Sequence, residues 1–211
     1  VPVLAARAPR VAAVVGLGRG DVLDPLGAAN VDRLGLLARP PNAAGQVAAR
    51  GGPARDVIMA PSTQLVRSHP LPSLPLPRRA LDVVVVDLPP PSLPGAEAWY
   101  SPRFARQVEA CLTEDGWAAF RVHSRFLDVG DLARVIVTFS QVFPDATVWL
   151  DPVGEGDVIL LGTPSGGLPD AQRMIHGLTR RALRQALRSG DLRTPGDLFT
   201  HVFSRADSEV Y

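Results

Sequence analysis

The stretch Leu81–Pro91 reads LDVVVVDLPPP, and its four consecutive valines, Val83 to Val86, show no alternation of polar and apolar residues. A strand with only one buried face alternates, so an unbroken run predicts a strand covered on both faces, as at the centre of a parallel sheet with helices on either side. The run ends in Asp87 and three prolines, which close the strand. Open α/β sheets bind ligands beyond the carboxyl ends of their strands. Asp87 is therefore the first candidate functional residue, beside the plainer reading of an Asp that caps a turn through local hydrogen bonds.

Working back from that strand, Val11 to Val15 reads as a second apolar strand that runs into Gly16, Leu17, Gly18, Arg19, Gly20 and Asp21. Strand, glycine turn and helix in succession let backbone N–H groups approach a ligand at a helix N-terminus. Gly16, Gly18, Gly20 and Asp21 are the candidate cofactor-binding residues. A dinucleotide fingerprint places its third Gly where this chain has Asp21, so the G-x-G-x-G spacing suits the S-adenosylmethionine class better than nicotinamide. Asp24 to Ala29 follows as a helix and Val31 to Leu37 as a strand. Folds of this kind place an acid after that strand to hold ribose hydroxyls, whereas Leu37, Ala38, Arg39 and Pro40 stand here. Asn42 to Arg50 predicts a short helix ended by Gly51 and Gly52, and Val57 to Ala60 a third short strand.

On the carboxyl side, Phe104, Val108 and Leu112 recur at i, i+4 and predict a helix over Tyr100–Leu112. Thr113 to Gly116 reads as a turn, Trp117 to Val122 as a strand leading to His123, and Leu127 to Phe143 as a helix. Thr147–Leu150 and Val158–Leu161 read as an antiparallel pair about Pro152–Gly156. An Arg-rich helix is expected over Pro169–Ser189 and a second helical piece over Leu192–Phe203. The organisation is thus a domain over 1–165 with a helical extension over 166–211. Ser68 to Arg79 holds four prolines in twelve residues and predicts an extended connector, with a partner-binding polyproline segment as the other reading.

Composition narrows the function classes. The 211 residues are 46% hydrophobic and 20% charged, ordinary for one well-cored domain. A net charge of +1 argues against nucleic-acid binding as the main purpose, and all 22 basic residues are Arg, a bias of composition rather than a device. The lone Cys111 excludes an internal disulfide and sits among apolar residues at a helical position, as a buried small hydrophobe does. No metal-ligand spacing is visible, and no run of 18 apolar residues occurs. The chain starts at Val1 without Met, as a processed product or a segment of a longer one does.

The segments VVGLGRGD (14–21), VVVVDLPPPS (83–92), WYSPRFARQVEACLTEDGWAAFRV (99–122), PDATVWL and DVILLG, in this order, resemble the polyamine aminopropyltransferases of the spermidine synthase family. The likeness is greatest to bacterial spermidine-synthase-like domains that are fused to membrane segments. It implies a Rossmann-like, seven-stranded, mostly parallel sheet of the methyltransferase type, with decarboxylated S-adenosylmethionine or S-adenosylmethionine as cofactor if the chain is active. In active members an Asp at the position of Asp87 deprotonates the attacking amine, and a second Asp three residues later grips the polyamine; here that residue is Pro90. Asp87 and Tyr100 are the catalytic candidates that the resemblance implies. The acids expected after the second strand, and after the third at Ala60–Thr63, are missing, as is the amino-terminal β-hairpin of the enzymes. The expectation is a degenerate member acting in the cytoplasm as a non-catalytic structural or interaction module, with an aminopropyltransferase-like enzyme or another S-adenosylmethionine-type nucleoside-binding transferase as the alternative. Its partner would be another protein, a second copy, or the rest of a longer, membrane-anchored chain.

Overall fold

The computed structural model describes Leu4 and residues 8–18, 20–37, 43–66, 74–150, 156–177 and 202–205. Leu81–Asp87 is β4 and lies inside an eight-stranded sheet, between β1 (Val11–Val15) and β5 (Leu112–Val122). From one edge the order is β3 (Thr63–Leu65), β2 (Arg33–Leu37), β1, β4, β5, β7 (Val158–Gly162), β6 (Thr147–Leu150) and β8 (Val202–Arg205). The first five run parallel; β7 enters antiparallel between β5 and β6, and β8 pairs antiparallel with the outer side of β6. The expected mostly parallel sheet of seven strands is thus present, with an eighth strand at the edge.

Burial explains the unbroken valine run. Val83 packs on one face with Ala12, Val14, Leu34, Leu36 and Trp117, beneath Leu23 and Leu26 of α1 (Leu23–Ala29), Val47 of α2 (Ala43–Ala49) and Ile58 of α3 (Pro53–Met59). Val84 and Val86 pack on the other, beneath Phe104 and Val108 of α4 (Pro102–Cys111) and Phe139 of α5 (Val129–Ser140). Successive valines therefore enter opposite cores, and neither face tolerates a polar residue. On the second face the rings of Trp99, Phe104, Phe120, Phe139 and Phe143 form a chain of tilted and edge-on contacts with centroids 4.6–6.4 Å apart. Cys111 is buried there, its thiol directed to the Gln107 carbonyl at 3.1 Å.

Local signals set the boundaries. Ser101 accepts a hydrogen bond from the Phe104 amide at 3.2 Å, and Pro102 fills the first turn of α4, where its missing N–H costs nothing. Asp128 likewise accepts from the Asp131 amide at 2.7 Å and starts α5. The expected strand at Val57–Ala60 is instead the end of α3. Pro53 opens that helix after Gly52, and Ala54 and Ile58, one turn apart, face the core. The third strand begins later, at Thr63. β5 extends back to Leu112 across the expected turn, with a register shift in which Leu112 opposes Leu81 and Trp117 opposes Val83.

Of the proline-rich connector, Leu74–Arg79 is described. It has no regular structure, and its Leu74 amide donates to the side chain of Gln107 on α4 at 3.1 Å. Beyond β7, α6 (Ala171–Gly177) buries Met174 in the same core as Val83. The rest of the expected Arg-rich helix lies outside the described residues. Val202 and Phe203 belong to β8 and not to a helix, because the open edge of β6 offers them a ladder of backbone partners.

Phe104 is fully buried and touches both Trp99 and Phe120. Replacing it by Ala should cost about 3–5 kcal/mol of unfolding free energy in a denaturant titration. A loss below about 1 kcal/mol would contradict this packing.

Candidate functional site at the carboxyl edge of the sheet

The register brings separate stretches of sequence to one point. Asp87 ends β4 beside Arg121 of β5, and Val122 opposes Val158, so His123 and Asp157 become neighbours just beyond the ladder. The turn after β1 closes over them. Gly16, at φ +82°, donates its amide to the Leu37 carbonyl at 3.0 Å, which ties the turn to β2. A Cβ on Gly16 would stand 2.4 Å from the Asp87 carbonyl, and one on Gly18, at φ +47°, 2.0 Å from Asp87 Oδ2. Both glycines are thus required by close approach to Asp87, with or without a ligand.

The charges form a connected chain. His123 Nδ1 lies 2.9 Å from Asp157 Oδ2, and its Nε2 lies 3.3 Å from Asp87 Oδ1. Arg121 donates from Nε to the same Asp157 oxygen at 3.2 Å and from Nη1 to Asp21 Oδ2 at 2.8 Å. The side chain of Asp87 is only 2% exposed, and neither of its oxygens has a hydrogen-bond donor among the described residues. The 3.3 Å approach of His123 is therefore an ion-pair contact rather than a formed hydrogen bond. Asp87 is the main cause that raises the His123 pKa above the usual imidazole value; burial opposes it and Asp157 adds to it.

Tyr100, one of the two expected catalytic residues, donates its hydroxyl to the Pro89 carbonyl at 2.6 Å and so pins the proline loop that follows β4. Burial first, and then the fields of Asp87 and Asp157, raise its pKa far above the ordinary phenol range. Of the expected cofactor-binding residues, Gly16 and Gly18 lie on Asp87, Gly20 packs toward Val47 of α2, and Asp21 holds Arg121. Sequence reasoning missed Arg121, His123 and Asp157. The signal available was their position at the ends of strands that become neighbours once β7 inserts beside β5. A cavity of about 480 Å³ lies apart from this cluster, between α1 and α3, lined by Asp24, Asp56, Leu34 and Thr63 among others. Among the described residues no group of His, Cys, Asp and Glu is arranged to hold a metal, and no helix is long and apolar enough to cross a membrane.

No protein-family model matches the chain, and no curated protein matches it at a significant level. Solved structures do. A spermidine synthase from Thermotoga maritima superposes with a TM-score of 0.61 at 20% identity, over 82% of this chain and 60% of that one. A spermidine synthase in complex with the transition-state analogue AdoDATO gives 0.63 at 17% identity, over 90% and 71%. Human methyltransferase-like protein 13 in complex with SAH gives 0.63 at 20% identity, over 89% and 86%. The chain has a spermidine-synthase-like, methyltransferase-type fold. It spans about 60% of the length of the Thermotoga enzyme.

In this methyltransferase-type fold the turn after β1 packs directly against Asp87. Gly18→Ala should cost about 1–3 kcal/mol through strain at positive φ and collision with the carboxylate. Combined with Asp87→Ala, the collision disappears and the two effects should couple by about 1 kcal/mol or more in a double-mutant cycle. Additive effects would show that the turn and Asp87 are energetically independent.

Proposed function

We propose that the chain is a degenerate spermidine-synthase-like domain that works as a non-catalytic structural or interaction module. The observation that carries this reading is the burial of Asp87 under Gly18 and beside His123. A general base must come within about 2.6–3.2 Å of the proton it takes, directly or through one water, and a carboxylate packed against its own glycine turn is withdrawn from a substrate. Tyr100 is likewise engaged with the Pro89 carbonyl.

The residues around the turn do not fit an S-adenosyl group. No Asp or Glu occurs between Asp32 and Asp56 or between Asp56 and Asp82, so the sequence that follows β2 and β3 holds no acid for ribose hydroxyls or an adenine amine. Each absent charge-assisted hydrogen bond removes roughly 1.5–3 kcal/mol, about tenfold to a hundredfold in affinity. Pro90 stands where the resemblance calls for the acid that grips a polyamine.

Contact with a protein partner, a second copy or another part of a longer chain is the role left to such a domain, whose packed sheet remains intact. α5 supports it. Apolar residues dominate this helix, yet only Phe139 is fully buried, while Val129 and Val137 are exposed, as is Phe126 just before the helix. Exposed apolar side chains are available for contact with another surface.

Calorimetric titration with S-adenosylmethionine and with its decarboxylated form tests the reading. No binding is expected at micromolar nucleoside. Micromolar or tighter affinity, or aminopropyl transfer to putrescine that disappears in Asp87→Asn, would replace it with the enzyme reading.

A further inference from the structure

We propose that His123 is a proton-operated latch: when doubly protonated its ring holds Asp87 and Asp157 together and keeps the glycine turn closed on β4, and when neutral it releases Asp87 and loosens the turn. The inference uses the buried position of Asp87 described above and does not depend on the absence of catalysis.

The geometry of the ring carries it. Both imidazole nitrogens face carboxylate oxygens, Nδ1 toward Asp157 at 2.9 Å and Nε2 toward Asp87 at 3.3 Å. Only the imidazolium has an N–H on each nitrogen; a neutral ring has one. The neutral ring must therefore turn a lone pair toward one of the two acids. The shorter Asp157 contact is the better-formed hydrogen bond, so the proton stays on Nδ1 and the Asp87 contact is lost. That leaves a buried carboxylate facing a lone pair, with no hydrogen-bond donor among the described residues. Such a group moves toward water, because a buried charge without a partner is costly. Gly16 and Gly18 rest directly on Asp87, so any movement is passed to the turn.

The surrounding groups set the charge balance. Asp87 reaches the ring from β4, and Asp157 from the entry to β7. Arg121 of β5 joins through the shared Asp157 oxygen, and Asp21 joins through Arg121. The Tyr100 phenol is held neutral by burial and by both acids and adds no charge. Arg125, in the turn after His123, lies over the Phe126 ring with its guanidinium carbon 4.8 Å from the centroid. Within the chain of contacts from Asp87 to Asp21, the neutral ring leaves three carboxylates with one guanidinium; the imidazolium supplies a second cation. Ser124 Oγ also donates to the Gly156 carbonyl, so the segment that carries His123 is tied to the turn before β7.

Asp87 and Asp157 raise the pKa of His123, which places the release above the ordinary imidazole value of about 6.5. Because the folded-state value is the higher one, the stability gained from the imidazolium is complete below the unfolded value and is lost as pH rises through the folded value.

Hydrogen–deuterium exchange of the whole chain between pH 6 and pH 9, corrected for the intrinsic pH dependence of exchange, reads the latch in peptides covering 14–24 and 84–90. Protection there should fall about tenfold for each unit by which the folded pKa exceeds the unfolded one, while the α4 peptide keeps its protection. His123→Gln, checked by circular dichroism for a native fold, should show the low protection at every pH with no step. Asp157→Asn should move the step to lower pH. A wild-type chain without a step, or a step that survives in His123→Gln, would overturn the latch and leave the non-catalytic reading intact. Tight nucleoside binding at both pH values would overturn that reading and leave the step intact.

Discussion

The carboxylate of Asp87 is the constraint on which the carboxyl edge of this sheet depends. It ends a strand covered on both faces, lies under Gly16 and Gly18, and meets a histidine whose other nitrogen is held by Asp157. A buried charge persists only when opposite charge or hydrogen bonds compensate it, and His123 supplies the nearest compensation. Without His123 the glycine turn would close over an uncompensated charge. Without the glycines the carboxylate would have no room. The turn, the strand end and the imidazole are therefore one unit, although they come from distant parts of the sequence.

This unit changes the meaning of a glycine turn after a buried strand. The pattern is usually read as a cradle for a nucleoside or phosphate, because N–H groups at a helix start favour such ligands. Here the near face of the cradle is taken by the protein's own carboxylate, and the acids that would complete a ribose site are absent from the sequence. The same residues serve packing, and the close approach to Asp87 accounts for Gly16 and Gly18. The exposed apolar side chains of α5 then stand out as surface left uncovered among the described residues.

Much of the fold was legible because its signals are local or periodic. The valine run placed β4 inside the sheet, Ser101 and Pro102 stand at the start of α4, and the apolar residues around Pro152–Gly156 gave the antiparallel β6–β7 pair. Val57–Ala60 misled because a short apolar run fits a strand as well as the end of a helix, and Pro53 decides between them only once Ala54 and Ile58 are seen to face one core. β8 was missed because its partner is the edge of β6, some fifty residues earlier, and no local pattern records a pairing over that separation. The candidate site divides in the same way. Asp87 and the glycines could be read from motif and position, whereas His123, Arg121 and Asp157 acquire their roles only through the insertion of β7 beside β5.

The pairing of His123 with Asp87 is the claim from which the rest follows, and the imidazole titration measured by nuclear magnetic resonance tests it most directly. The account predicts a His123 pKa above about 6.5 in the wild-type chain that drops when Asp87 becomes Asn, with a smaller drop for Asp157→Asn. A pKa at or below the ordinary imidazole value, or one unmoved by Asp87→Asn, would contradict it.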